Sequence, residues 1–343
     1  VEGRLSSPKK ILVTGGLGFI GSHFIQKCLS EGHKIINVDK VTYASNLDID
    51  FGKNYQFIKK DICELDHIPA CDFIVNFAAE SHVDNSITES LNFMNSNVKG
   101  VYNILEILKN NKIKSSLTAQ KYVTPLFVQI STDEVFGDIE EGFFKEDDRH
   151  CASNPYSATK SAAEQIVFAW SRTYDLPYLM TRTTNNYGPR QHPEKLIPCA
   201  ITRLLRGEKV PIHGSGTYVR NWIHVEDNVD AIIRVIDQGN INEVYHVSSD
   251  EEYSVNEIVK NICDCLGLDF SELTDYSSDR AGADLRYALN SDKIKSLGWN
   301  QTRKLTSELP KIVEYYRNKR SKNDTAIQSS RTFKSRIQNT KSI

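Results

Sequence analysis

Apolar residues in the first half of the chain come in short unbroken runs. The first is Lys10-Ile11-Leu12-Val13-Thr14, rich in β-branched residues, and the second is Lys34-Ile35-Ile36-Asn37-Val38-Asp39. Gln56 to Ile58, Phe73 to Phe77, Leu126 to Ile130 and Tyr178 to Thr181 continue the series. A continuous apolar run fits a strand buried on both faces, as in a parallel sheet. Stretches with helical texture lie between the runs, notably Phe24 to Ser30, Asn92 to Lys109 and Ser157 to Tyr174. This alternation predicts a doubly wound parallel α/β sheet.

After Asn186 the texture changes. Pro189, Pro193, Pro198, Gly207, Pro211, Gly214 and Gly216 crowd together, and the strand-like pieces shorten. The expected organisation is a cofactor domain over residues 9–185 and a smaller, discontinuous C-terminal substrate-binding domain over 186–317. Segments near 225–250 are expected to return to the main sheet. Residues 318–343 are polar and basic, too poor in apolar side chains to bury much surface, and are expected to be a disordered tail.

Composition narrows the function. The net charge of the 343 residues is −2, so no global field draws in nucleic acid, and an anionic ligand must be held by local cations. No apolar run approaches the ~20 residues of a membrane span, and the opening VEGRLSSPKK has no apolar signal core. Of the seven cysteines only Cys263 and Cys265 lie close together, without a second pair to complete a zinc site. The expectations are no metal, no membrane partner, and reduced thiols in a cytoplasmic protein.

Three motifs carry chemistry. Thr14-Gly15-Gly16-Leu17-Gly18-Phe19-Ile20-Gly21 follows the first strand and opens a helix. Gly15 permits the tight turn, Gly18 lets the backbone approach a pyrophosphate, and Gly21 allows close helix–strand packing. The helix N-terminus offers free N–H groups to the phosphates. Asp39, ending the second strand, stands where a carboxylate accepts both ribose hydroxyls, which favours NAD over a 2′-phosphorylated cofactor. Lys40 beside it weakens that preference, because it could pair with a phosphate. Asp61 and Ile62 could bracket adenine, and the small Ala78 and Ala79 would let a cofactor lie against the sheet edge. Together these predict a Rossmann domain binding NAD.

Tyr156-Ser157-Ala158-Thr159-Lys160 places Tyr156 and Lys160 on one helical face. An ammonium close to the phenol would favour the phenolate, a base for an alcohol proton as hydride leaves its carbon. Thr132-Asp133-Glu134 comes directly after the buried run Leu126 to Ile130, at the carboxyl end of a strand, where ligands sit in open α/β sheets. A solvated turn is the bland explanation of an Asp-Glu pair. At a cofactor-binding strand end the pair reads instead as an acid and a base held at different pKa values, which is what elimination of water requires.

With these motifs in place the chain resembles the extended short-chain dehydrogenase/reductase superfamily, and within it the dTDP-glucose 4,6-dehydratase family. The resemblance runs from about Lys9 to Trp299. It rests on TGGLGFIGS, DKVTYASN, FAAESHVDNSI, STDEVFG, NPYSATKSAAEQ, NNYGPRQHPEKLIP, VRNWIHVED and DRAGADLRYA. It implies a lyase that oxidises the sugar at C4, eliminates water across C5 and C6, and returns hydride to C6. Tyr156 would be the C4 base and Thr132 the partner of the C4 oxygen. Glu134 would take the C5 proton and Asp133 would protonate the leaving hydroxyl. By the same resemblance Phe19, Ile20, Lys40, Thr42 and Ser45 join the NAD contacts, as do Ser81, Ser96, Lys160 and Asn186. His82, Asn185, Lys195, Leu196, Pro211, His213, Arg220 and Arg280 would line the nucleotide-sugar site. Helices over 92–109 and 157–174 would form a homodimer interface.

The chain departs from the family pattern around the nucleotide: Ala281 and Ala283 in the DRAGA segment, Gly216-Thr217-Tyr218-Val219 before Arg220, His213, and Ser254. These leave thymine and uracil both open as the base. A nucleotide-sugar epimerase or decarboxylase would need only Thr132, Tyr156 and Lys160, leaving Asp133 and Glu134 unexplained. A non-catalytic NAD-sensing protein would not need the Tyr156/Lys160 pair.

Overall fold

The computed structural model describes residues 3–117, 122–278, 282 and 284–320. Seven strands form one all-parallel sheet: β1 (Lys10–Thr14), β2 (Lys34–Asp39), β3 (Tyr55–Lys59), β4 (Phe73–Asn76), β5 (Leu126–Thr132), β6 (Tyr178–Thr183) and, after three further strands, β10 (Glu243–Val247). Their order across the sheet is β10-β6-β5-β4-β1-β2-β3, so the winding reverses at β1 and β4. A crevice opens at such a reversal, beyond the carboxyl ends of the strands.

Two apolar layers cover the sheet. On one face α1 (Phe19–Ser30) packs Phe24, Ile25 and Cys28 against Ile11, Val13, Val75 and Val128. The later helix α7 (Val225–Gln238) adds Val229, Ile232, Val235 and Ile236 there. On the other face α4 (Gly100–Leu117) and α5 (Pro155–Tyr174) set Val101, Ile104, Leu105, Ala163 and Val167 against Leu12, Ile74, Phe127 and Met180. The unbroken apolar runs of the strands follow from this burial on both faces. α7 packs on the main sheet, and β10 forms its edge beside β6.

The expected single helix over 92–109 differs in detail. After a separate α2 (Val83–Thr88), this stretch consists of the end of α3 (Ser90–Phe93), a π-helical turn over Met94–Lys99, and then the start of α4. The extra residue per turn brings Ser96 and Asn97 inward together. Asn97 exchanges hydrogen bonds with the backbone of Glu80 (2.8 and 3.0 Å) and donates to Thr159 Oγ1 (3.0 Å). Side-chain hydrogen bonding that apolar periodicity does not register sets this turn.

The smaller lobe has its own core. Helices α6 (Leu196–Leu204) and α8 (Val255–Leu266) and a helical stretch over 305–320 enclose Ile201, Ile212, Trp222, Ile258, Ile262 and Ile312. Two small sheets support it. One joins β7 (Asn185–Tyr187), β9 (Val219–His224) and β11 (Glu252–Ser254); the other joins β8 (Val210–His213) and β12 (Thr274–Ser277). A last short helix, α9 (Asp292–Lys295), packs near β10. The helix over 305–320 runs past the boundary expected at 317, so residues 318–320 are helical; the remainder of the expected tail lies outside the described residues. No helix among the described residues is long and apolar enough to cross a membrane.

The β1–α1 turn shows why sequence dictates local form here. Gly15 has φ +69°, and a Cβ on it would lie 2.6 Å from the Ala78 backbone nitrogen. A Cβ on Gly21 would lie 2.6 Å from the Gly15 carbonyl oxygen. The turn therefore tolerates no side chain at either position. Gly15→Ala is expected to destabilise the fold by about 2 kcal/mol and to lower cofactor content. Thermal unfolding and the nucleotide released on denaturation would check both.

Candidate active site

One cleft of about 610 Å³ opens at the carboxyl ends of the sheet strands. Gly15, Gly18, Phe19 and Ile20 line it after β1, and Asp39, Lys40, Thr42 and Ser45 after β2. Asp61 and Ile62 follow β3, Ala78, Ala79, Ser81 and His82 follow β4, and Ser96 enters from the π-turn. Thr132, Asp133 and Glu134 come from the end of β5, and Tyr156 and Lys160 from α5. The smaller lobe contributes Asn185, Asn186, Lys195, Leu196, Pro211, His213 and Arg220. Residues scattered over most of the sequence thus share one cavity. Arg280 lies outside the described residues.

The glycine turn and Asp39 form the cofactor end. The Asp39 carboxylate is buried and accepts the Leu17 N–H at 3.0 Å and the Val41 N–H at 2.8 Å. These bonds tie the glycine loop to the end of β2. They use two of the roughly four acceptor sites of a carboxylate, which leaves capacity for hydroxyl donors. Val41 itself has φ +64°, an unfavourable conformation for a β-branched residue, at the start of the loop that rims the cleft. Lys40 is engaged elsewhere: its Nζ lies 3.0 Å from Glu80, 3.9 Å from Asp61 and 2.8 Å from Ser96 Oγ. With two carboxylates at its head group, Lys40 is poorly placed to attract a 2′-phosphate. The crowded glycine turn, with backbone N–H groups at the start of α1, suits a dinucleotide pyrophosphate.

The reacting end is built on two adjoining elements. Thr132 caps the 3-10 turn Asp133–Phe136, its hydroxyl accepting the Glu134 N–H at 3.3 Å and donating to Asp133 Oδ1 at 3.1 Å. Asn154 caps α5 through a reciprocal capping box with Ser157, and Pro155 opens the first turn. Tyr156 therefore projects from a rigid helix start.

Electrostatics separate the carboxylates. Burial pushes the Asp133 carboxyl up to about 7, the Glu134 charge adds to the rise, and the Thr132 hydroxyl opposes it. Asp133 Oδ2 is buried without a hydrogen-bond partner. Burial raises Glu134 as well, but Arg220, Lys195 and a hydrogen bond from Asn154 hold it back. Asp133 is thus suited to carry a proton, whereas Glu134 faces cations that favour its ionised form.

The Tyr156/Lys160 geometry revises one expectation. The Tyr156 phenol stands well above its usual range, through burial and then the Glu134 charge, with a Thr132 hydrogen bond acting the other way. Lys160 donates to the Ile130 carbonyl at 2.7 Å, and burial lowers its ammonium to about 8 against the opposing charge of Glu164. In this arrangement burial and the neighbouring carboxylates dominate the phenol and favour its neutral form at rest.

Asn154 and Tyr287 are two of the cleft residues that had no assigned role. Asn154 lay inside the NPYSATK segment, and its capping position was the available signal. Tyr287 stacks beneath Arg220 at 4.3 Å and donates to Asp284 at 2.5 Å. Arg220 donates to the carbonyls of Val219 (2.8 Å), Leu285 (3.2 Å) and Asp284 (2.8 Å). Tyr287 lay inside the DRAGADLRYA segment, but its pairing with Arg220 arises only when the chain folds.

The fold and the cleft define a Rossmann-type member of the extended short-chain dehydrogenase/reductase superfamily. A family model described as GDP-mannose 4,6 dehydratase matches residues 12–311. The chain belongs to that family and, within it, to the dTDP-glucose 4,6-dehydratases. It is 42% identical over 315 residues to the low-salt glycan biosynthesis protein Agl12 of Haloferax volcanii, covering 89% of this chain and 98% of that one. It is 38% identical to dTDP-glucose 4,6-dehydratase 1 of Escherichia coli K12, covering 90% and 92%. The crystal structure of DesIV, a dTDP-glucose 4,6-dehydratase from Streptomyces venezuelae solved with NAD bound, superposes with a TM-score of 0.83 at 35% identity, covering 91% and 98%.

The raised Asp133 carboxyl has a consequence for stability. Its folded value of about 7 exceeds the unfolded value near 3.8, so the folded state holds the extra proton between these limits. Stability from this group is present at low pH and is lost as pH rises through that window. Asp133→Asn is expected to be more stable than the wild type at pH 8, on the order of 2 kcal/mol, with little difference at pH 4. Urea unfolding at the two pH values would check it.

Proposed function

We propose that the protein is an NAD-dependent lyase that dehydrates a nucleotide-activated hexose, with dTDP-glucose the foremost substrate and dTDP-4-keto-6-deoxyglucose the product. The observation that carries this reading is the buried Asp133 and half-buried Glu134 beside Tyr156, which an epimerase or decarboxylase would not require. NAD would be held by the glycine turn, Asp39 and Lys160. When bound, it supplies the hydride acceptor for C4 and the hydride donor for C6.

The residues divide the remaining work. Thr132 Oγ1 bonds the C4 oxygen while Tyr156 takes the hydroxyl proton. The positive charge of the oxidised nicotinamide favours the phenolate that burial otherwise disfavours. The 4-keto group acidifies the C5 proton, which Glu134 removes and gives back to C5 as hydride reaches C6. Asp133, raised to about 7 and so protonated in a large share of molecules near neutral pH, gives its proton to the C6 hydroxyl as water leaves. Lys195 and Arg220, cleft cations from the smaller lobe, are the candidates for the diphosphate. The cofactor ends in its starting state and is expected to remain bound.

A homodimer is part of this reading. Ile87, Leu91, Met94 and Tyr102 expose apolar surface along the run from α2 into α4, with Leu91 70% exposed. Such a patch suits an interface with a second copy of the chain. A cytoplasmic location fits the seven free thiols.

Incubation with dTDP-glucose, UDP-glucose and UDP-N-acetylglucosamine tests the reaction and the nucleotide together. A 4-keto product absorbing in alkali is expected, fastest from dTDP-glucose; its absence with all three would refute dehydration. Glu134→Gln should still reduce bound NAD in the presence of substrate while product formation falls at least about a hundredfold. Full turnover in that variant would contradict the assigned base. Leu91→Glu should shift the dimer toward monomer in sedimentation velocity.

A further inference from the structure

Glu164 lies one turn beyond Lys160 on α5, so Tyr156, Lys160 and Glu164 follow one another at four-residue spacing on the face turned to the sheet. Its side chain is 1% exposed. Ser131 and Arg182 are direct partners across β5 and β6, and Glu164 bridges them from above. It accepts the Ser131 hydroxyl at 2.5 Å, Arg182 Nε at 3.1 Å on both oxygens, and Arg182 Nη2 at 2.7 Å.

The far side of Arg182 is closed as well. Its guanidinium donates to the Glu146 carbonyl (2.8 Å), to His246 Nε2 (3.2 Å) and to His150 Nε2 (3.0 Å). Arginine can only donate, so both histidines accept at Nε2 and are neutral there. Burial lowers both. Phe136, at the end of the turn that holds Asp133 and Glu134, lies 4.8 Å beneath the guanidinium.

We propose that Glu164 is a positioning residue of the reaction: through Ser131 and Arg182 it fixes α5, with Tyr156 and Lys160, against the end of β5, with Thr132, Asp133 and Glu134. The inference rests on the dehydratase reading. The two halves of the reacting group sit on different elements; Tyr156 and Asn154 bond Thr132 and Glu134 at the start of α5, Lys160 bonds Ile130, and Glu164 adds the tie one turn further in. Ser131 is the residue immediately before Thr132, so a tie at Ser131 sets where the triplet begins. Glu164 also places a negative charge near Lys160, opposing the effect of burial on the ammonium.

Glu164→Gln would leave Arg182 buried without its counter-charge and could fail to fold. Two milder variants separate positioning from packing. Ser131→Ala cuts the tie to β5 and keeps the ion pair. Glu164→Asp keeps the charge and shortens the reach by one methylene. Each is expected to fold, to carry wild-type NAD, and to lose about tenfold in kcat with KM within about twofold. The phase in which bound NAD is reduced should slow to match. Wild-type kcat in both folded, NAD-loaded variants would overturn the inference alone, as would losses that merely track lost NAD or lost folded protein. Failure of the wild type to form a 4-keto product would overturn the dehydratase reading, and the inference with it.

Discussion

Glu164 and Arg182 form an ion pair in the layer between sheet and helix, with side-chain exposures of 1% and 2%. An isolated charge at that depth would cost several kcal/mol in lost hydration. Here the Ser131 hydroxyl, the Glu146 carbonyl and two neutral histidines engage the groups the pair leaves over. Hydrophobic residues could fill the same volume, but they would not fix the helix against one particular pair of strand positions. The directional bonds give the site a defined geometry where packing alone would give only contact.

That geometry matters because the cleft contains opposing demands. Asp133 and Glu134 are adjacent carboxylates, and both are pushed upward by burial. They can differ in proton affinity only if their neighbours differ. Arg220 acts on both, but Lys195 and Asn154 act on Glu134, whereas Asp133 keeps one oxygen buried without a partner. The smaller lobe therefore does more than wall the cleft: Lys195 and Arg220, both supplied by it, bias the charge of a residue at the end of a main-sheet strand. Arg220 in turn depends on the Tyr287 ring and on carbonyls from the segment after residue 284.

The fold was legible because its causes are local and repeated. Parallel strands buried on both faces must be apolar throughout, and the helices between them must carry an apolar stripe. The glycine turn was equally plain, since Gly15 and Gly21 have no room for a side chain. The π-turn over 94–99 was not legible, because Asn97 makes it through partners at Glu80 and Thr159. The extension of the last helix to residue 320 was missed because polar, basic composition resembles a free tail even where helix continues.

The sequence by itself determined the strand series, the glycine turn, the Asp39 position and the candidates for the reacting side chains. Each is a short pattern whose physical cause lies within a few residues. Only the tertiary structure decided their states. It committed Lys40 to two carboxylates, kept the Tyr156 phenol neutral at rest, raised Asp133 to about 7, and placed Glu164 across Ser131 and Arg182. Burial and charge at a site are sums over groups distant in the chain. Thr132, Asp133 and Glu134 could be recognised as a motif, but which of them holds a proton depends on Arg220, Lys195 and Asn154, which reach it only when the chain is folded.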